Sequence, residues 1–410
     1  MDTTTPDWSS LPDHLLASIA EQLPTRIDTL CFRAVCNSFR SSIPPPPKPL
    51  SPHAGLKIPM PYLAGRRGHF VLAEFTFYAI KPLLSISNPH QTTYTWLVKS
   101  EELHSGKVRL EDPLCRRRLG NLSNKVPESE KLPQSLDLRN YRVKEVAKSY
   151  RLEKVYQGKG INRKKPVVFE KAVVSSCYDE SDNGFALMTI MGGLVLVWRN
   201  VDKKWATIII DYEFPLDIIY HNEKFFALMI CGVTVIVDSK SLSVSEVAGP
   251  PIEIAMYLVK SSQDLFMITK NWQRRNEPAE FKVYKLDEEK CEWVEVIDGL
   301  EDSVFFVGND GSFCVSAKEF PGCKGNCVYF KEGPIRGGII DLKDGTVGGF
   351  SAFPGLLKSV TVHQAKQNFI SGRFRRRFSL SSTWVGLVKT FGLVKIRAFE
   401  EDGKTKEVKG

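Results

Sequence analysis

The string Phe185-Ala186-Leu187-Met188 returns 41 residues later as Phe226-Ala227-Leu228-Met229, and no other feature constrains the fold as tightly. Each copy runs into glycine, Gly192-Gly193 or Gly232, and then into a second apolar run, Leu194-Val195-Leu196-Val197-Trp198 or Val233-Thr234-Val235-Ile236-Val237. Two apolar runs of strand length around a glycine turn read as a hairpin. Weaker versions start at Leu265-Phe266-Met267 and Phe313-Cys314-Val315, so the unit recurs roughly every 40–50 residues, the period of a propeller blade. A blade is a small sheet whose faces are buried only by its neighbours, so several must close around an axis. About 290 residues from position 68 onward hold six such blades, give or take one or two. A pair of packed β-sandwiches is the alternative architecture.

Other segments fit the same pattern. Short apolar runs at 207–210 and 281–286 are strand candidates, and Asn309-Asp310-Gly311 is a turn between the apolar runs 305–307 and 313–315. The segment 144–154 is the exception, with a helical composition. Before residue 44 the period changes to 3.6: Leu11, Leu15, Leu16, Ile19, Ala20 and Leu23 share one helix face. Pro12 suits a first turn and Pro24 ends the stretch. A second helix is expected near Asp28, with Ile27, Leu30, Cys31, Ala34 and Val35 facing inward. The run Pro44-Pro45-Pro46-Pro47 then acts as a semi-rigid spacer. The fold class is therefore mainly β with a small all-α N-terminal module. The expected divisions are a helical unit at 7–43, a Pro-rich linker at 44–67, a β-propeller-like domain at 68–355 and a basic tail at 356–410. About forty residues cannot bury a self-sufficient core, so the helical unit must lean on the rest of the chain or give an apolar face to a partner.

The net charge of +9 is local: residues 356–410 carry twelve Lys and Arg against four Asp and Glu, and the remainder is nearly neutral. A second basic excess spans 139–165, expected to be a solvated loop. Neither excess has the interleaved aromatics of a nucleic-acid groove, so nucleic acid is not expected as a partner. No apolar run approaches the ~18–20 residues of a membrane-spanning helix, and the first residues lack the pattern of a secretory signal. Nine cysteines, an odd number mostly set singly among apolar residues, suit a reducing compartment, so nucleus and/or cytoplasm is the expected location. Cys323 and Cys327 are close, but no second Cys or His pair follows at ligand spacing. No nucleophile elbow, His-Glu-x-x-His or complete phosphate loop occurs. Hence no metal, cofactor or catalytic residue is assigned.

The order of residues in the helical unit is more specific than its periodicity. Asp7-Trp8-Ser9-Ser10-Leu11-Pro12-Asp13-His14-Leu15-Leu16, then Ile19 and Leu23, then Arg33-Ala34-Val35-Cys36-Asn37-Ser38-Phe39-Arg40 closely resembles an F-box, with Phe39 where Trp is usual. Downstream, Tyr94-Thr95-Trp96-Leu97-Val98, Gly106-Lys107-Val108-Arg109-Leu110, Pro321-Gly322-Cys323-Lys324-Gly325-Asn326-Cys327-Val328-Tyr329-Phe330 and Ile340-Asp341-Leu342-Lys343-Asp344-Gly345 resemble a plant domain of unknown function. That domain follows an F-box in a large plant family and has a Kelch-like propeller fold. The resemblance runs to about Phe353 and makes Cys323 and Cys327 part of a strand entry. It implies a non-catalytic substrate receptor: the F-box docks on a Skp-type adaptor, and through it a cullin, while the propeller holds an unidentified protein for ubiquitination. The matching adaptor-binding positions are Leu11, Pro12, Leu15, Leu16, Ile19, Leu30, Val35 and Cys36, some of which must instead hold the helices together. The competing reading is a propeller hydrolase or carbohydrate-binding protein with a structural helical leader.

After Phe353 the chain leaves the family pattern. The basic clusters Arg375-Arg376-Arg377 and Arg163-Lys164-Lys165 read as solvated loops before nuclear-import signals. Residues 373–410 are expected to be dispensable for closing the propeller, with the apolar stretches 384–388 and 391–396 as the counterargument.

Overall fold

Alternation along the repeated strings explains the architecture. In a strand, successive side chains point to opposite faces. Phe185 and Leu187 enter one core while Ala186 and Met188 enter the next. The second copy repeats this, with Phe225 and Ala227 on one side and Phe226 and Leu228 on the other. Both faces of each sheet are therefore apolar, as stacking between two neighbours requires.

The structure, a computed structural model, describes residues 10–23, 26–44, 56–61, 68–83, 95–102, 108–116, 140–155, 171–175, 184–212, 214–247, 249, 254–271, 280–320, 323–332, 336–349 and 398–399. Three helices, α1 (Asp13–Glu21), α2 (Arg26–Ala34) and α3 (Asn37–Ser42), precede the strands. The first blade holds β1 (Lys57–Pro59), β2 (His69–Pro82), β3 (Trp96–Glu102), β4 (Val108–Glu111) and β5 (Tyr141–Val155), with β2 paired to β5 along its full length. The second is β6 (Ala172–Val174), β7 (Ala186–Met191), β8 (Leu194–Arg199) and β9 (Lys204–Ile208). The third is β10 (Pro215–His221), β11 (Lys224–Met229), β12 (Thr234–Asp238) and β13 (Val244–Val247). The fourth is β14 (Ile254–Lys260), β15 (Leu265–Asn271), β16 (Glu280–Asp287) and β17 (Glu292–Glu295). The fifth runs β19 (Ser312–Ser316), β18 (Ser303–Val307), β20 (Cys327–Glu332), β21 (Arg336–Asp341) and β22 (Val347–Gly348) from the axis outward, with β18 parallel to β20.

Single backbone pairs, Tyr150 with Ala172 and Lys260 with Phe313, link the inner strands of neighbouring blades. Five apolar seams then join first to second, second to third, third to fourth, fourth to fifth, and fifth back to first. The last seam sets Phe77, Leu97 and Leu114 against Phe306, Phe313 and Tyr329, with the Phe77 and Phe313 rings 5.0 Å apart.

Charge completes that closing seam. The Asp310 carboxylate, 3% exposed, accepts from Lys99 Nζ at 2.5 Å, Arg151 Nη2 at 2.5 Å and Arg116 Nε at 2.7 Å. Glu111 shares two of these cations, with Arg151 at 2.7 Å and Lys99 at 3.2 Å. Both cations also sit 4.4 Å from the centroid of the Phe75 ring. Burial alone would raise the Asp310 carboxyl, but Lys99, Arg151 and Arg116 together hold it well below the usual carboxylate range. A second buried pair, Lys331 with Asp112, spans the same seam. Such networks are strongly destabilised when one partner is removed.

Five blades stand among the described residues, within the expected range around six, the first using the stretch 57–155, far more than one repeat. Several expectations change. The expected helix at 144–154, and part of the expected loop at 139–165, is β5. Its Lys, Glu and Ala residues favour helix, but the fourteen-residue partner β2 supplies a full ladder, and tertiary pairing overrides propensity. Within the expected linker, Lys57–Pro59 is an edge strand on β2; Ile58 is fully buried and Trp205 Nε1 donates to the Pro59 carbonyl at 2.7 Å. An edge position tolerates the proline. In the tail, the stretches 384–388 and 391–396 lie outside the described residues, and β23 (Ala398–Phe399) pairs with the outer edge of β9.

Candidate functional site

The helical module builds its interior from few residues. Leu16, Phe32 and Phe39 are its buried hydrophobics, with the two rings 4.7 Å apart. Phe39 thus fills the interior position expected of a ring there. Arg33 ties α2 to the end of α3: its Nη1 donates to the carbonyl of Arg40 at 2.7 Å and to that of Ile43. Pro12 opens α1 in extended conformation, its carbonyl accepting from the amides of Leu15 and Leu16.

What this small interior leaves outside is the site. Leu15 is 43% exposed, Ile19 42% and Val35 53%, and Pro12 is also exposed. Leu15 and Ile19 are one helical turn apart on α1 and form an apolar stripe. Large aliphatic side chains left exposed on so small a module are candidates for an interaction surface. Leu11, Leu30 and Cys36 are half-buried, and Leu11 and Cys36 pack against the interior.

Of the eight sequence-derived positions, Leu16 is one that holds the helices together. It is fully buried against Phe32 and Phe39, so it supports the surface from within. Val35, expected to face inward, faces out, and Phe32 takes the inward place on α2. Phe32 lies four residues before Cys36 and seven before Phe39, a helical spacing that was available in the sequence.

Among the described residues no group of three His, Cys, Asp or Glu side chains is placed to hold a metal ion. Cys327 opens β20, and burial pushes the thiols of Cys323 and Cys327 up to about 12 and about 11. Such raised values favour the protonated thiol at neutral pH. His221 is 6% exposed and burial lowers its pKa, with Glu288 3.7 Å from Nε2. No described helix is long and apolar enough to cross a membrane.

Comparison with known proteins bears on the propeller and on the chain as a whole. A family model described as KIB1-4 beta-propeller matches residues 70–351. The chain is similar to F-box protein SKIP23 of Arabidopsis thaliana, at 29% identity over 385 residues, covering 83% of this chain and 90% of the relative. It is also similar to F-box protein At2g17036 from the same plant, at 29% identity covering 79% and 83%. F-box/kelch-repeat protein At2g24250 is 26% identical, covering 80% and 83%.

Proposed function

The chain belongs to the KIB1-4 beta-propeller family of plant F-box proteins, and from that premise we propose that it is the substrate receptor of an SCF-type ubiquitin ligase. Pro12, Leu15, Ile19 and Val35, with Leu11, Leu30 and Cys36 at the margin, dock on a Skp-type adaptor and through it a cullin. Recognition of this kind desolvates a few apolar anchors in a complementary groove. The propeller holds a target protein. The chain performs no bond chemistry itself; it raises the effective concentration of target lysines beside the ubiquitin-loaded enzyme. Its site of action is the nucleus and/or cytoplasm, where thiols stay reduced.

The observation that carries this reading is the mismatch within the helical module: three buried side chains support an exposed stripe of Leu15 and Ile19 with Val35 beside the third helix. The test is affinity purification of the full chain from plant cells. Adaptor and cullin should co-purify, and replacing Leu11 and Pro12 together by Ala should remove both while the propeller stays folded. Proteins that accumulate on that replacement are the targets. Full recovery of the adaptor by the folded double variant contradicts the assignment of this face.

A further inference from the structure

The five inner strands line a partly open cavity between them, bordered by Ser149 of β5, Lys171 before β6, Tyr220 of β10, Lys260 of β14 and Ser312 of β19. Its volume is about 40 Å³. Its polar lining is one-sided. The hydroxyls of Ser149 and Ser312, on residues 3% and 5% exposed, are buried without a hydrogen-bond partner. Lys260 has no hydrogen-bond or ion-pair partner among the described residues, and its neighbour in charge is another cation, Lys171.

The nearby carboxylates are already committed. Asp217 accepts from Lys171 Nζ at 2.8 Å and from the amides of Ile218 and Leu258 at 2.9 Å each. Asp310, which also lines the cavity, is held by Lys99, Arg116 and Arg151. Lys148, another lining residue, pairs with Glu74 at 3.1 Å. One half-buried ammonium and two buried hydroxyls thus remain with donors and no acceptor. Water can satisfy a hydroxyl, but it supplies no negative charge to an ammonium set beside a second cation.

We propose that this cavity binds one small oxyanion of phosphate size, held by Lys260 and the hydroxyls of Ser149 and Ser312. An oxyanion supplies acceptors to every orphaned donor and the missing negative charge, and charge-assisted hydrogen bonds of this kind are the strong ones. Burial and then the Lys171 charge push the Lys260 pKa down, and a bound anion would oppose that shift by its charge. The site is independent of the helical module, so it stands or falls apart from adaptor binding.

The test is isothermal titration of inorganic phosphate into the full chain, with chloride balancing ionic strength. A single saturable site is expected. Lys260→Met should weaken it at least tenfold, and Lys260→Arg, which keeps the charge, should hold it within threefold. Absence of saturable binding in the unaltered chain, or a weakening of less than tenfold in Lys260→Met, overturns the proposal. Should Lys260→Met fail to fold, Ser312→Ala decides in its place: at least threefold weaker phosphate binding supports the site, and a smaller change overturns it.

Discussion

The helical module buries Leu16, Phe32 and Phe39, whereas each seam of the propeller buries between nine and thirteen hydrophobic residues. The two regions solve the same problem at different scales. A propeller blade has two apolar faces, and each finds a neighbour within the chain, including the fifth blade's return to the first. The module has one interior and one outward stripe, and nothing described within the chain covers Leu15, Ile19 or Val35. A region that satisfies its own surfaces serves as a scaffold; a region left with an uncovered apolar face is built to be completed by a partner.

The largest effect expected is on the closing seam. Asp310→Asn leaves Lys99, Arg116 and Arg151 facing a neutral side chain and should cost about 3–5 kcal/mol of propeller stability, read by urea unfolding. It should leave adaptor binding intact, because the module shares none of these groups. Loss of adaptor binding together with the propeller would mean that the two regions fold as one.

Next is the module's own interior. Leu16→Ala removes one of three buried side chains, a change worth about 2–5 kcal/mol in ordinary cores. Adaptor binding should fall steeply while the propeller's unfolding midpoint stays put. Retained full-strength binding would show that the adaptor itself supplies the missing packing.

Acid offers a smaller, graded test. The Asp310 carboxyl is held below its ordinary range by Lys99, Arg151 and Arg116 against the opposing effect of burial, and Glu111 shifts the same way. Their stabilisation is present in full above the unfolded carboxylate value near about 4 and is lost as pH falls towards the depressed folded value. Propeller stability should therefore decline below about pH 4, and Asp310→Asn should flatten that decline. An acid slope identical in the two proteins would remove Asp310 from the account.

The smallest effect expected is truncation after Gly372. Among the described residues it removes only the two-residue pairing of β23 with β9, so the melting midpoint should move by no more than a degree or two, about what a few tenths of a kcal/mol produces. A fall of ten degrees would make the tail part of the ring.

The parts of this comparison legible in the sequence were those with a period. The Phe-Ala-Leu-Met strings announced blades because both faces of a strand must be apolar when neighbours stack on each, and the 3.6 period with its Leu-Pro opening announced the module. The closing seam was illegible. Lys99, Glu111, Arg151 and Asp310 are separated by up to 211 residues, and each sits in a stretch that reads as ordinary polar surface or turn. Asp310 in particular was noticed only as a turn residue in Asn309-Asp310-Gly311. The β5 strand was misread because its composition favours helix and its partner β2 lies some seventy residues earlier. Burial within the module was also beyond reach of the pattern: Leu15 and Leu16 are adjacent and chemically identical, yet one is 43% exposed and the other fully buried.

The exposed pair Leu15 and Ile19 gives the most direct test of the central claim, that an exposed helical face docks the adaptor while the propeller stands alone. Adaptor affinity and thermal melting are measured on the full chain carrying Leu15→Ala with Ile19→Ala. Anchors at such interfaces are worth about 2 kcal/mol or more each, so affinity should fall by a hundredfold or more, about 1.4 kcal/mol corresponding to each factor of ten, with melting unchanged. Undiminished affinity in a variant that melts like the original chain would contradict the account.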